Sequence, residues 1–174
     1  PLCAGRGGVG AEAVRPAGPR CPSTRRLFLP SGRPGAFLGR LGDRARGMTL
    51  GDGRKKGTDV GPLIHERSRK KVEHYIDVGQ ADGADLLCGG RSPEGKAFEH
   101  GYFFEPTIFA RVEAGMRIEQ EEIFGPVLSV VRVADADEAF RVNNGVKYGL
   151  SSSLYTRAVN LAFLAVAALG HGIP

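Results

Sequence analysis

The sequence predicts an α/β fold in which helices cover a parallel sheet. Its clearest strand is the apolar, β-branched segment 126–133. A helix with a capping-box start at Asp135 follows, and then come a second strand at 150–156 and a mostly apolar helix over 159–169. Strands that alternate with helices at this spacing are typical of βαβ units, whose strands run parallel.

The first part of the chain offers a shorter strand and one helix. Residues 25–29 are a strand candidate ended by a proline, and a helix is predicted to begin at Pro34. The apolar side chains of this helix recur three or four positions apart, at Phe37, Leu38, Leu41 and Ala45. Residues 51–62 are rich in turn formers and basic residues, which indicates an exposed loop.

The middle of the chain predicts a longer helix flanked by short strands. The helix covers 66–79, and its apolar face carries Val72, Tyr75 and Ile76. A strand at 84–88 follows. The segment 102–112 is rich in aromatic and β-branched residues, but Pro106 interrupts it and favours an edge or bent strand. After the helix that begins at Asp135, Gly145 is available for a left-handed cap.

Composition and charge bound the class of protein. The chain has 174 residues, of which 41% are hydrophobic, enough for one packed domain. The net charge of +5 is uneven, because residues 1–60 carry +8 and residues 61–174 carry −3. Nucleic-acid binding through the basic part is not favoured, because no recognised binding module is present and the only aromatics there are Phe28 and Phe37.

Apolar runs and cysteines indicate the compartment. The longest apolar run, Leu161 to Leu169, is far short of the roughly 20 residues that a membrane helix needs. Cys3, Cys21 and Cys88 form an odd, widely spaced set without metal-ligand spacing. We therefore expect a soluble protein of a reducing compartment, the cytoplasm, with no metal and no membrane partner.

Cys21 is the first candidate for chemistry. Pro16 and Pro19 prevent a helix around it, so it is predicted to lie on a loop. Arg20 is adjacent and further arginines follow, and neighbouring cations favour the reactive thiolate. The alternative is an inert buried cysteine, which is also the simpler interpretation for Cys88 at the end of a strand.

The second candidate is the acidic segment 119–126, EQEEIFGP. An ionised carboxylate can accept both hydroxyls of a ribose, and a neighbouring aromatic can lie against a flat ring. The alternative is a solvated acidic turn that leads into the strand at 126–133.

Five segments in register resemble the C-terminal part of the NAD(P)-dependent aldehyde dehydrogenase superfamily, from about Ala17 to the end of the chain. They are GPRCPSTRRLFL around Cys21, GTDVGPLI at 57–64, GYFFEPTIF at 101–109, EEIFGPVLSV at 121–130 and NNGVKYGLSSSLYT at 143–156. The resemblance implies a partial aldehyde dehydrogenase catalytic domain over 17–174. Residues 1–16 then form a divergent Gly/Arg-rich segment, for which disorder is one expectation.

The resemblance also implies an activity. Cys21 would attack an aldehyde, the resulting thiohemiacetal would pass hydride to NAD or NADP, and the thioester left behind would be hydrolysed to a carboxylic acid. Glu122 matches the family glutamate that binds the nicotinamide ribose, and Phe124 matches the aromatic that positions the nicotinamide end. The 143–156 motif leans towards the members that act on semialdehydes, and full-length relatives form homo-oligomers.

Two departures from the family pattern lead to a second hypothesis. Pro19 and Pro22 flank Cys21 where the family has a glutamine and a small or polar residue, and prolines remove backbone donors from the oxyanion site. The word that carries the family's general-base glutamate is not found in residues 1–16. We therefore expect a fragment that is inactive alone. The alternative is a non-catalytic remnant, an interaction module that packs on full-length subunits.

Overall fold

The computed structural model describes residues 24–32 and 34–170, with the side chain of Pro34 left aside. Its strands are β1 (Arg26–Pro30), β2 (Asp85–Cys88), β3 (Thr107–Val112) and β4 (Val127–Val133). Its α-helices are α1 (Pro34–Arg46), α2 (Glu66–Ala81), α3 (Arg117–Gln120), α4 (Ala136–Asn144) and α5 (Val159–Ala168). Cys21 and the predicted 1–16 segment lie outside the described residues, so both stay predictions.

The four described strands form one sheet in the order β1-β4-β3-β2. β4 pairs in parallel with β1 and β3, while β2 is antiparallel to β3. The predicted α/β class with a parallel sheet is therefore confirmed, with one antiparallel strand at an edge. Side chains alternate along β4, so that Leu128 and Val130 pack with α1 while Val127 and Val131 join the cluster of α2. Helices thus cover both faces of the sheet.

Three predicted local features are wrong. The edge-strand alternative for 102–112 is wrong, because β3 begins after Pro106 and lies between β4 and β2. The bent alternative agrees with the structure, since the register with β4 shifts between Phe109 and Val112 and Arg111 has φ of 53°. Residues 150–156 form no strand in the structure, since no described strand pairs with them. Gly145 ends α4 with φ of −78°, so its cap is right-handed, and its N–H donates to Val142 O over 3.2 Å.

The predicted start of α4 is confirmed in detail. Asp135 is its N-cap residue, and its Oδ1 accepts from the Glu138 N–H over 2.9 Å. Glu138 reaches back as a capping box does, although its Oε2 accepts from Ala134 N rather than from Asp135 N. Strands β1 and β4 and helices α1 and α2 also lie within two residues of their predicted bounds.

A buried ion pair joins separate parts of this fold. Arg26 Nη1 on β1 lies 2.8 Å from Glu119 Oε1 on α3, and the two side chains are 9% and 0% exposed. The same guanidinium donates to the carbonyls of Val142 and Asn143 at the end of α4, over 3.1 and 3.0 Å. The other Glu119 oxygen accepts from the Gly115 N–H over 3.1 Å. Both charges are thus satisfied within the protein.

Removing the carboxylate from this pair should destabilise the fold strongly. We expect Glu119→Ala to lower the free energy of unfolding by about 3–5 kcal/mol, because it leaves Arg26 charged and buried without its partner. Glu73→Ala is the matched control, since Glu73 pairs with Arg69 on the surface of α2 over 3.7 Å, and it should lower the free energy by less than about 0.5 kcal/mol. Urea unfolding of both variants measures the difference. Equal losses would contradict the assigned role of the ion pair.

Candidate functional site

The predicted cofactor residues lie on the loop 121–126, which connects α3 to β4. Ile123 on this loop is buried in the same cluster as Val72 of α2. Glu122 and Phe124 on either side of it are exposed. Because the middle residue is fixed in the core, its two neighbours are presented at the surface together.

Glycine is required next to these residues by a close approach. A Cβ on Gly125 would lie 2.4 Å from Val72 Cγ2, so no side chain fits between the loop and α2. Phe124 itself has φ of 60°, a left-handed conformation that a phenylalanine adopts only where its surroundings hold it. The loop 121–126 is therefore pressed against α2 in one defined shape.

The three glutamates of segment 119–122 have three different environments. Glu119 is fully buried in the ion pair with Arg26. The Glu121 carboxylate accepts from Tyr75 Oη over 2.6 Å and from Arg117 Nε over 2.9 Å. These bonds, that of Arg117 before that of Tyr75, lower the pKa of Glu121 to about 2.

Glu122 is the glutamate whose carboxylate is available. Among the residues that the structure describes, its side chain takes part in no hydrogen bond or ion pair, and it is exposed. Its backbone carbonyl accepts from Lys71 Nζ of α2 over 2.6 Å. A fixed backbone with an unengaged carboxylate beside an exposed aromatic ring fits the hydroxyls and flat ring of a nicotinamide riboside.

Arg25 connects this loop to the start of the described chain. Its carbonyl accepts from Ser129 N on β4, and its guanidinium interacts electrostatically with the Glu122 carboxylate. Burial, followed by the charge of Arg26, lowers the pKa of Arg25, and its buried Nη1 has no hydrogen-bond partner among the residues that the structure describes. The beginning of β1 and the loop before β4 therefore lie at the same end of the sheet, as their parallel pairing requires.

Of the predicted site residues, the structure brings together Glu122 and Phe124. Cys21 lies outside the described residues, and the five residue-to-residue steps from it to Arg26 can span at most about 18 Å. Cys88 lies on β2, away from loop 121–126 across the sheet. Its thiol is half-buried, and burial raises its pKa, which agrees with a packing role.

Sequence reasoning missed the residues that hold the loop. The sequence pattern places Tyr75 on the apolar face of α2 and assigns Lys71 no role. Arg117 lies four positions before Glu121, a spacing that places a charge pair on one helix face and could have signalled this contact. Within the described residues no group of three or more potential ligands gathers around a metal position, and no helix has the length and apolarity to cross a bilayer.

The contacts of Glu121 predict its titration. Because the pKa of Glu121 is depressed, the small stabilisation that this exposed ion pair contributes is fully present above the ordinary value of 4.5 and is lost as the pH falls through about 2. Arg117→Leu should raise the pKa of Glu121 towards 4.5. Arg69→Leu is the control, since Arg69 lies on α2 and pairs with Glu73, and it should leave the pKa of Glu121 unchanged. NMR titration of the side-chain carboxyl carbons measures both effects. A wild-type midpoint near 4.5 would contradict the contacts.

Comparison with known proteins places the fold and loop in a family. Residues 7–173 match the model of the aldehyde dehydrogenase family. The betaine aldehyde dehydrogenase of Brucella anthropi is 41% identical over 136 residues, covering 78% of this chain and 28% of that protein. The alpha-ketoglutarate semialdehyde dehydrogenase of Haloferax volcanii is 42% identical over 139 residues, with 80% and 28% covered.

Solved structures agree with the sequence comparison. The NAD+ complex of the Mycobacterium tuberculosis aldehyde dehydrogenase superimposes with a TM-score of 0.88 at 34% identity, covering 94% of this chain and 34% of that one. The NAD+ complex of the Staphylococcus aureus betaine aldehyde dehydrogenase gives 0.87 at 34% identity, with 90% and 31% covered. The chain thus spans about a third of the length of these relatives. With the family's model matched over nearly all its residues, it belongs to the aldehyde dehydrogenase family.

Proposed function

We propose that this chain carries part of the active site of an NAD(P)-dependent aldehyde dehydrogenase. The observation that carries the proposal is that Glu122, whose carboxylate makes no hydrogen bond or ion pair with another described residue, and Phe124 are both exposed on a loop fixed against α2. Arg25, four residues after Cys21, lies within the field of Glu122. Arg25, the described residue nearest to the proposed nucleophile for which these contacts are known, thus lies at the same end of the sheet as loop 121–126.

In this proposal Cys21 is the nucleophile. Its thiolate sulfur forms a bond to the aldehyde carbon, and the oxygen takes up a proton to give a thiohemiacetal. NAD(P), when bound, supplies the acceptor for the hydride that this carbon loses. As the hydride leaves, the hydroxyl releases its proton to solvent and the carbon becomes a thioester. Water then adds to this carbon and the carbon–sulfur bond breaks, which releases a carboxylic acid and the thiol.

Glu122 and Phe124 bind the nicotinamide end of the cofactor. The carboxylate accepts hydrogen bonds from the ribose hydroxyls, and the aromatic ring lies against the nicotinamide side. These groups are common to NAD and NADP, so both cofactors fit, and the NAD+ complexes of two relatives support the first.

The named relatives support the substrate class. Both are named for the oxidation of an aldehyde, and the alpha-ketoglutarate semialdehyde dehydrogenase supports in particular a semialdehyde of a small carboxylic acid. A free thiol nucleophile requires a reducing compartment such as the cytoplasm. Because the chain spans less than a third of the relatives' sequences, we propose that it is inactive alone.

Thiol reactivity tests the role of Cys21. We expect iodoacetamide to alkylate Cys21 at least about tenfold faster than Cys88 near neutral pH, because burial raises the pKa of Cys88 and arginines flank Cys21. Mass spectrometry of the digested chain measures both rates, and Cys21→Ser identifies the site. Equal rates would contradict the nucleophile, and NADH production by the chain alone, abolished by Cys21→Ser, would contradict inactivity.

A second candidate function is an interaction module that packs on a full-length aldehyde dehydrogenase subunit. One observation favours it, an apolar surface over residues 148–166. The exposed side chains of this surface are Tyr148, Leu150, Leu154, Tyr155, Val159, Phe163, Leu164 and Val166. Phe163 is 74% exposed, and this many exposed large apolar side chains within one stretch of the chain favour a protein interface.

Co-sedimentation tests this candidate. The chain should bind the full-length betaine aldehyde dehydrogenase of Brucella anthropi, and Phe163→Ser should weaken binding about tenfold or more, because a buried aromatic ring is lost from the contact. Asn160→Ser, an exposed change on the same helix, is the matched control. Analytical ultracentrifugation measures the affinity. No complex with wild type, or equal binding by the two variants, would contradict the module.

A further inference from the structure

We propose that Tyr75 and Arg117 are positioning residues for the cofactor loop 121–126 and that they act through Glu121. This inference rests on the proposed function, since it explains how Glu122 and Phe124 are held ready for a nicotinamide nucleotide. Neither residue contacts the proposed ligand in this scheme. They act by fixing the conformation of the loop.

Tyr75 provides a hydroxyl whose position is fixed by the core. Its side chain is only 7% exposed and packs in the cluster that contains Val72 and Ile123. Its Oη donates to Glu121 Oε2 over 2.6 Å. Because the ring cannot move without disturbing the core, its hydrogen bond holds the Glu121 carboxylate at a fixed position.

Arg117 holds the same carboxylate from α3. Its Nε and Nη2 donate to the two Glu121 oxygens over 2.9 and 3.1 Å, the bidentate geometry that fixes orientation as well as distance. Its guanidinium also lies 5.8 Å from the centre of the Tyr75 ring, within cation–π range. Tyr75, Arg117 and Glu121 therefore form one connected unit, the Glu121 anchor.

The Glu121 anchor and Lys71 hold two consecutive residues of the loop. Lys71 and Tyr75 lie one helical turn apart on α2 and hold the carbonyl of Glu122 and the carboxylate of Glu121. The left-handed conformation of Phe124 follows two residues later. Such a conformation persists only where neighbouring contacts determine it, and the anchor provides those contacts on the α3 side of the loop.

A purely structural role predicts a different outcome from a positioning role. The Glu121 side chain is 40% exposed, and an ion pair at the surface adds little to global stability. Loss of the anchor should therefore change the loop conformation and the affinity for a nicotinamide nucleotide more than it changes unfolding.

The test uses the whole chain and four variants. Tyr75→Phe keeps the packed ring and removes only the hydroxyl, while Glu121→Gln changes a surface group and leaves the core intact. Tyr155→Phe and Glu73→Gln are the matched controls at exposed positions. The readouts are the backbone NMR signals of Phe124, the affinity for oxidised nicotinamide mononucleotide and the urea unfolding midpoint.

We expect both anchor variants to shift and broaden the Phe124 signals and to weaken nucleotide binding about three- to tenfold, with unfolding midpoints close to wild type. The controls should match wild type in all three readouts. Unchanged Phe124 signals in both anchor variants would overturn the inference, whether or not the nucleotide binds. Shifted signals in a chain that binds no nucleotide would support the anchor and count against the proposed function instead.

Discussion

The buried pair of Arg26 and Glu119 is the interaction on which the described structure depends most. Its two groups lie 93 positions apart in the sequence, so it forms only when the sheet has assembled. The guanidinium also occupies the carbonyl end of α4, where Val142 and Asn143 present acceptors that the helix cannot satisfy itself. A cation at the C-terminal end of a helix is favourable as well, because the helix dipole is negative there. One side chain thus joins a strand and two helices.

The position of loop 121–126 follows from this pair. Helix α3 has four residues, too few to be stable without tertiary contacts. Glu119 fixes it to β1, and Ser129 Oγ of β4 donates to the Ile118 carbonyl over 3.0 Å. With α3 held on this side and α2 holding Glu121 and Glu122 on the other, loop 121–126 has little freedom. The buried ion pair therefore both stabilises the interior and fixes the conformation of loop 121–126 at the surface.

Sequence patterns predicted the elements whose signals are local. The periodicity of α2, the capping residues of α4 and the β-branched run of β4 each require only neighbours in the chain. Residues 150–156 have the composition of a strand, yet strand formation depends on a partner edge that composition does not reveal. The glutamates show the same limit, because Glu119, Glu121 and Glu122 share one local sequence. Distant residues, Arg26 for the first and Tyr75 for the second, decide which carboxylate is buried, which is an anchor and which remains available.

Helix α5 has more apolar surface than the described residues cover. An amphipathic helix such as α4 needs one covered face, whereas α5 is apolar on all sides, a pattern typical of helices surrounded by other structure. Within the described residues only Ala165 on it is buried. Its C-terminal end is nevertheless well held, since Asn144 donates to the Ala168 carbonyl over 2.7 Å and accepts from Gly170 N over 3.0 Å. Polar contacts thus fix this helix while its apolar side chains stay exposed, which suits it to pack against a further protein surface.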